Sequence, residues 1–225
     1  SLVSIPDAHA DTVTAAISGD WNIGATWLGG SVPLAADDKI IPNGVTVTIS
    51  TSIVNDGTIT NDGTITINAS GSIDNNGTIT NNPPGVINNS GGITNNGGNI
   101  FNNADAFINI NSSGSITNIS GNIANSGTII AFPLGSINNY AIFDNAGLLR
   151  TISGGNINNI SPGIITNSVT GTTTNDGGFF NGIGSTLINS GGTITSSAGL
   201  FNVGTFINNG DFTNTAIVQH TFPSA

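Results

Sequence analysis

The chain has no cysteine and no methionine, so neither disulfides nor thiolate metal sites are open to it. Glutamate is absent too, and aspartate supplies all 12 acidic residues. Positive charge is nearly missing: Lys39 and Arg150 are the whole complement. A net charge of −10 with so few cations excludes a surface that tracks nucleic-acid phosphates, because counterion release needs clustered Lys and Arg. The same shortage excludes a polybasic membrane-surface patch. No run approaches the ~18 consecutive apolar residues that cross a bilayer as a helix, so no membrane insertion is expected. Charged residues make up 6% of the 225 positions, roughly a quarter of the usual share. A surface of Asn, Thr, Ser and Gly in place of mixed charges suits a protein that works in an assembly or outside the cell.

What is there is equally lopsided. Asparagine and isoleucine are the commonest residues, beside 32 glycines. Abundant Gly, Asn, Ser and Thr suggest disorder at first, yet 36% hydrophobic residues dominated by β-branched Ile are too many for a chain with no core. Helix is excluded by the lack of a 3.6-residue period and by the poor helix propensity of Ile, Asn, Gly and Thr. The chain folds as β.

Its internal repeat decides the architecture. From Gly57 onward the phrase Gly-x-Ile-x-Asn recurs, as in Gly57-Thr-Ile-Thr-Asn61, Gly77-Thr-Ile-Thr-Asn81, Gly114-Ser-Ile-Thr-Asn118 and Gly155-Asn-Ile-Asn-Asn159. Later units replace the aliphatic with Phe or Leu, as in Gly204-Thr-Phe-Ile-Asn208. Alternation within a strand puts Ile59 and Asn61 on one face and Thr58 and Thr60 on the other. Units this short cannot stand alone, but stacked coils give each strand a neighbour above and below at ~4.8 Å. Ile then lies over Ile in the interior, and inward Asn side chains form a column whose amides hydrogen-bond along the axis. Gly opens each unit because the corner needs either φ > 0 or a close backbone approach. Two units per coil would give a flattened solenoid and three a triangular one. Room for Ile, Leu and Phe stacks favours three, and crossover handedness favours the right hand. The expected fold is therefore all-β, a single-stranded right-handed parallel β-helix (β-solenoid), three-sided, with an N-terminal cap. Independent β-sandwich domains are the rival, but the longer strands they need are missing.

Four regions follow. Residues 1–18 read as an extended N-terminal arm, 19–49 as a cap with the first strands, 50–214 as the solenoid and 215–225 as a C-terminal strand or tail. Both tryptophans, Trp21 and Trp27, fall in the second region, where they would cover the open end of the first Ile layer. Ala8-His9-Ala10 before Asp11 fits a signal-peptidase site, but the apolar stretch ahead of it is short for a complete signal. A mature chain starting at Ser1 is the expectation, and either reading implies export. The string Trp21…Ala25-Thr26-Trp27…Gly29-Gly30…Val32-Pro33…Asp37…Ile40…Gly44-Val45-Thr46-Val47 resembles the N-terminal element of right-handed β-helices in secreted microbial surface proteins. The Asn-x-Gly-Thr-Ile-Thr-Asn units are similar to repeats of bacterial and archaeal adhesin-like β-helix proteins. The resemblance implies this fold and an extracellular or cell-surface location; it implies no activity.

Catalysis is not expected. Polysaccharide-cleaving β-helices need grouped carboxylates with Lys or Arg beside them, whereas Asp56, Asp62, Asp74 and Asp176 lie in Asn/Gly-rich stretches that read as turns. Asp37-Asp38, the one adjacent acidic pair, reads as a turn cap rather than a metal site, and no cofactor or metal is expected. His9 and His220 stand near opposite ends of the sequence, outside any nucleophile motif. Acceptor sequences for N-glycosylation occur at Asn68, Asn76, Asn88, Asn111, Asn118 and Asn159. Thr-x-Thr pairs at Thr58/Thr60, Thr64/Thr66, Thr78/Thr80 and Thr193/Thr195 suggest an ice- or glycan-binding face, against which stands the ordinary preference of Thr for exposed strand positions. A structural role fits better. The expectation is a subunit of an extracellular filament that associates with itself, head to tail, through terminal strands: Leu2, Val3 and Ile5 at one end, Ile217, Val218 and Phe222 at the other. The alternative is a monomeric cell-surface adhesin or surface-layer module, with cell-surface glycans as further partners.

Overall fold

The computed structural model describes residues 10–216 and 219–220. Nearly every repeat unit supplies a four-residue strand, and successive strands fall in turn on three parallel sheets, as Thr58–Asn61, Thr64–Ile67 and Ser72–Asn75 do before Thr78–Asn81 returns to the first. Among the described residues the first sheet has ten strands, the second ten and the third nine. The fold is a three-sided parallel β-solenoid. Along the first sheet, nine spacings of about 4.8 Å make a rod roughly 43 Å long. One coil takes 20 residues between Asn61 and Asn81, 23 between Asn95 and Asn118 and 19 between Asn189 and Asn208. Corners absorb these differences, because strand register is kept from coil to coil, as in Ile59 beside Ile79 and Ile79 beside Ile100. No described helix is long and apolar enough to cross a membrane.

The cause is a four-residue rule. The second and fourth residues of each strand point inward and the first and third outward. The second position carries the apolar column, Ile59, Ile79, Ile100, Ile123, Phe143, Ile165 and Leu187 on the first sheet, each at most 1% exposed. Each such side chain contributes roughly 1.5–3 kcal/mol on leaving water. Three columns of this kind meet inside the triangle as one continuous core.

Regular coils begin earlier than the composition suggests. Thr12–Thr14 and Asp38–Ile41 already head the first sheet, and Gly19–Asp20 and Thr46–Ile49 the second. Between them the chain departs to form a single 3-10 turn, Gly24–Thr26. Corner glycines are selected by close approach in most coils: a Cβ on Gly77 would lie 2.0 Å from the Gly57 carbonyl oxygen of the coil below.

Candidate functional site

The fourth strand position turns the corner, and there the buried residue is polar. On the first sheet, Asn61, Asn81, Asn102, Asn125, Asn145, Asn167 and Asn189 are fully buried. Each Nδ2 donates to the Oδ1 of the next coil at 2.7–3.0 Å, the last reaching Asn208. The third sheet repeats this from Asn55 through Asn75, Asn95, Asn118, Asn139, Asn159 and Asn181 to Asn202. The second amide proton bonds a backbone carbonyl around the corner, as Asn125 does with Leu148 O at 3.0 Å. All these bonds point one way, each Nδ2 donating toward the C-terminal end of the rod. Outer-surface bonds run in the opposite sense: Asn76 donates to Asp56, Asn82 to Asp62 and Asn103 to Asn82. The second sheet has no uniform ladder. Its fourth positions are Ile49, Ile67, Asn89, Ile110, Ala131, Thr151, Asn175, Ser196 and Asn214, with a short hydroxyl–amide relay only from Thr151 through Asn175 to Ser196. An Asn at every bend was too broad an expectation, and apolar packing replaces it at one corner.

The N-terminal end is plugged. Trp21 and Trp27 are 3% and 2% exposed, meet edge to face with centroids 4.9 Å apart, and are tied by Trp27 Nε1 donating to Trp21 O at 2.8 Å. Both belong to the one continuous buried core. Beside the plug, Lys39 replaces Ile in the inward apolar column, pairing with Ile59 in register, and is 1% exposed. Its Nζ donates to Asn55 Oδ1 at 3.0 Å and to Ala35 O at 2.5 Å, which supplies the donor that heads the third-sheet ladder. Desolvation lowers the pKa of Lys39 from its ordinary value, against the opposing pull of Asp37, Asp38 and Asp56. The first-sheet ladder has no such head: Asn61 Oδ1 lies beneath Ile41, buried and without a partner. Lys39 was missed as a site residue although strand alternation places it on one face with Ile41. Asp37 and Asp38 do cap backbone, Asp37 accepting the N–H groups of Asp11 and Leu34 and Asp38 that of Thr58.

At the other end, among the described residues, the first and second sheets finish at Thr205–Asn208 and Asp211–Asn214, while Gln219–His220 extends the third. Phe206 and Phe212 point inward from the last two full strands, only partly buried, edge to face at 5.2 Å. Asn208, the last member of its ladder, is exposed. Leu2, Val3, Ile5, Ile217, Val218 and Phe222, the expected assembly residues, lie outside the described residues, as does His9.

Outward positions sort the remaining candidates. Asn118 and Asn159 are interior ladder members with no exposed surface, so the folded chain offers glycan acceptors at Asn68, Asn76, Asn88 and Asn111 only. Asp74 stands on a strand, not in a turn, because Ser72–Asn75 continues through it. On the second sheet the outward columns read Thr46/Thr48 and Thr64/Thr66, then Val86/Asn88, Phe107/Asn109, Thr128/Ile130 and Leu148/Arg150, before Thr172/Thr174 and Thr193/Thr195. Thr58/Thr60 and Thr78/Thr80 form a separate block on the first sheet. The Thr pairs are thus two-coil blocks rather than one flat face. Arg150 clamps Asp176 through Nε and Nη2, and the Ser197 hydroxyl with this guanidinium lowers the pKa of that carboxyl. Phe180 and Phe201 stack on the outside of the third sheet with centroids 5.5 Å apart.

No protein-family model and no curated protein matches the chain. A solved structure, a TibC-catalysed hyper-glycosylated fragment of TibA, aligns over 93% of both chains at 16% identity, with a TM-score of 0.21.

Proposed function

We propose that the protein is a structural subunit of an extracellular filament, its rods stacking head to tail through the solenoid ends. The observation that carries this reading is the difference between the ends. The N-terminal end holds the buried Trp21–Trp27 pair, while among the described residues Thr205–Asn208 and Asp211–Asn214 are the last strands of the first and second sheets and carry half-buried Phe206 and Phe212. An open edge above an apolar layer is a template for a further strand. The strand that fits it carries inward apolar and polar residues two positions apart, which this chain repeats in every coil. Because the two ends differ, such contacts do not close into a ring and propagate along the axis. The scarcity of charge is consistent with close stacking, since few ions need be desolvated at each junction.

The test is negative-stain electron microscopy of the 225-residue protein with light scattering over a concentration series. Uniform filaments that shorten to single rods in a Phe206→Asp variant are the expected result. Discrete rods at every concentration would overturn the reading. A second reading, a module that adheres as a single rod at the cell surface, is favoured by the outward Phe180–Phe201 pair. It predicts those discrete rods, and loss of surface attachment on Phe180→Ser.

A further inference from the structure

The only lysine of the chain is buried deep in the fold. An ammonium has three N–H donors and needs three acceptors when cut off from water. Among the described residues Lys39 Nζ finds two, Asn55 Oδ1 and Ala35 O. No described carboxylate approaches it as an ion pair; the one described bridge is Arg150–Asp176. A neutral amine fits this site instead: its two N–H bonds are both used, and its lone pair has no other task. Burial pushes the group in that direction, against Asp37, Asp38 and Asp56. A desolvated neutral lysine is a nucleophile. The electrophile beside it is the fully buried carboxamide of Asn55, whose Cγ lies one carbonyl bond, about 1.2 Å, behind the contacted oxygen. Both groups are held, Lys39 by its strand in the first sheet and Asn55 by Asn75 Oδ1 and Thr78 O, so the encounter is intramolecular and lasting.

We propose that Lys39 and Asn55 join in a self-formed isopeptide bond that fastens the N-terminal cap to the first strand of the third sheet. The Asn55 carboxamide gives up its bonds to Asn75 Oδ1 and Thr78 O and turns its face to the amine, and the Nζ lone pair, once Nζ releases Oδ1, attacks Cγ. One Nζ proton passes to Nδ2, the Cγ–Nδ2 bond breaks, and ammonia leaves. A primary amine and a primary amide become a secondary amide and ammonia, with no oxidant, reductant or cofactor. The new carbonyl keeps the Asn55 oxygen, and the new N–H takes over one of the ladder bonds that Nδ2 made. A covalent tie here closes residues 39–55 into a loop at the end of the rod where strands would otherwise fray.

Intact-mass spectrometry of the purified, folded protein is decisive. The expected mass is that of the sequence less one ammonia, and a non-tryptic digest should yield a branched peptide joining positions 39 and 55. Lys39→Arg and Asn55→Ala should each restore the full mass. The full sequence mass in folded wild-type protein would overturn the proposal. So would an ammonia deficit that persists in Lys39→Arg, since a succinimide at an Asn-Gly pair loses the same mass without Lys39.

Discussion

At the scale of single residues, the interior asparagines are the unusual choice, since a carboxamide without partners is costly to bury. Within the two ladders, members such as Asn125 are paired above, below and around the corner. Asn125 accepts from Asn102 at 2.8 Å and donates to Asn145 Oδ1 and Leu148 O. Asn125→Ala strands one donor and two acceptors at once, so a loss of about 2–4 kcal/mol is expected. The exposed Asn156→Ala should stay within about 0.5 kcal/mol. Guanidinium unfolding compares them, and equal midpoints for the two variants would mean that the ladder adds nothing. Much of this was readable beforehand. A period of two places Ile59 and Asn61 on one face, and both are fully buried. What could not be read was which corner lacks Asn, because Ile49 and Ile67 satisfy the same alternation with a different side chain. Lys39 was hidden for a related reason: a lone cation is ordinarily on the surface, and only the register with Ile59 shows it facing inward.

At the scale of the element, the corner glycines divide into two kinds that sequence alone cannot tell apart. Gly121 does not have the left-handed backbone, yet a Cβ there would stand 1.9 Å from the Gly98 carbonyl oxygen and 2.3 Å from Asn95 Nδ2. Gly29 has φ +88° with nothing within 4 Å of its Cβ position. Gly121→Ala must therefore push two coils apart, at a cost of about 3 kcal/mol or more, among the large values for single substitutions. Gly29→Ala meets only backbone strain, roughly 1–2 kcal/mol. Thermal unfolding of the two variants checks the order; a greater loss at Gly29 would show that conformation, not stacking distance, selects corner glycines. The same distinction explains why coil length can vary from 19 to 23 residues. Extra residues are taken up in outward turns, while the residue that touches the coil below is glycine in most coils, with buried Ala106 and Ser185 in that place in two of them.

At the scale of the molecule, a stack in which each coil touches only its neighbours gains stability coil by coil, and its ends are the weak points. The N-terminal cap was legible as a place, since both tryptophans precede the repeats, but its bonding was not. Trp27 is joined to the body by a bridge with Ala15 and to Trp21 by its indole N–H. Trp27→Ala removes a side chain that is 2% exposed, at an expected cost of about 3–5 kcal/mol. In a one-dimensional stack that loss should not spread evenly. Amide hydrogen exchange should speed up first in Thr12–Thr14, Asp38–Ile41 and Ser52–Asn55, then fall back to wild-type rates within a few coils, leaving Asn156–Asn159 protected. Uniform acceleration along the whole rod would instead mean that the solenoid unfolds as one cooperative unit and that the plug sets the stability of every coil. If the Lys39–Asn55 bond is present, the graded response should be steeper still, because the first coil then stays tethered after the tryptophan contact is gone; adding Lys39→Arg to Trp27→Ala should extend the exchange further down the rod.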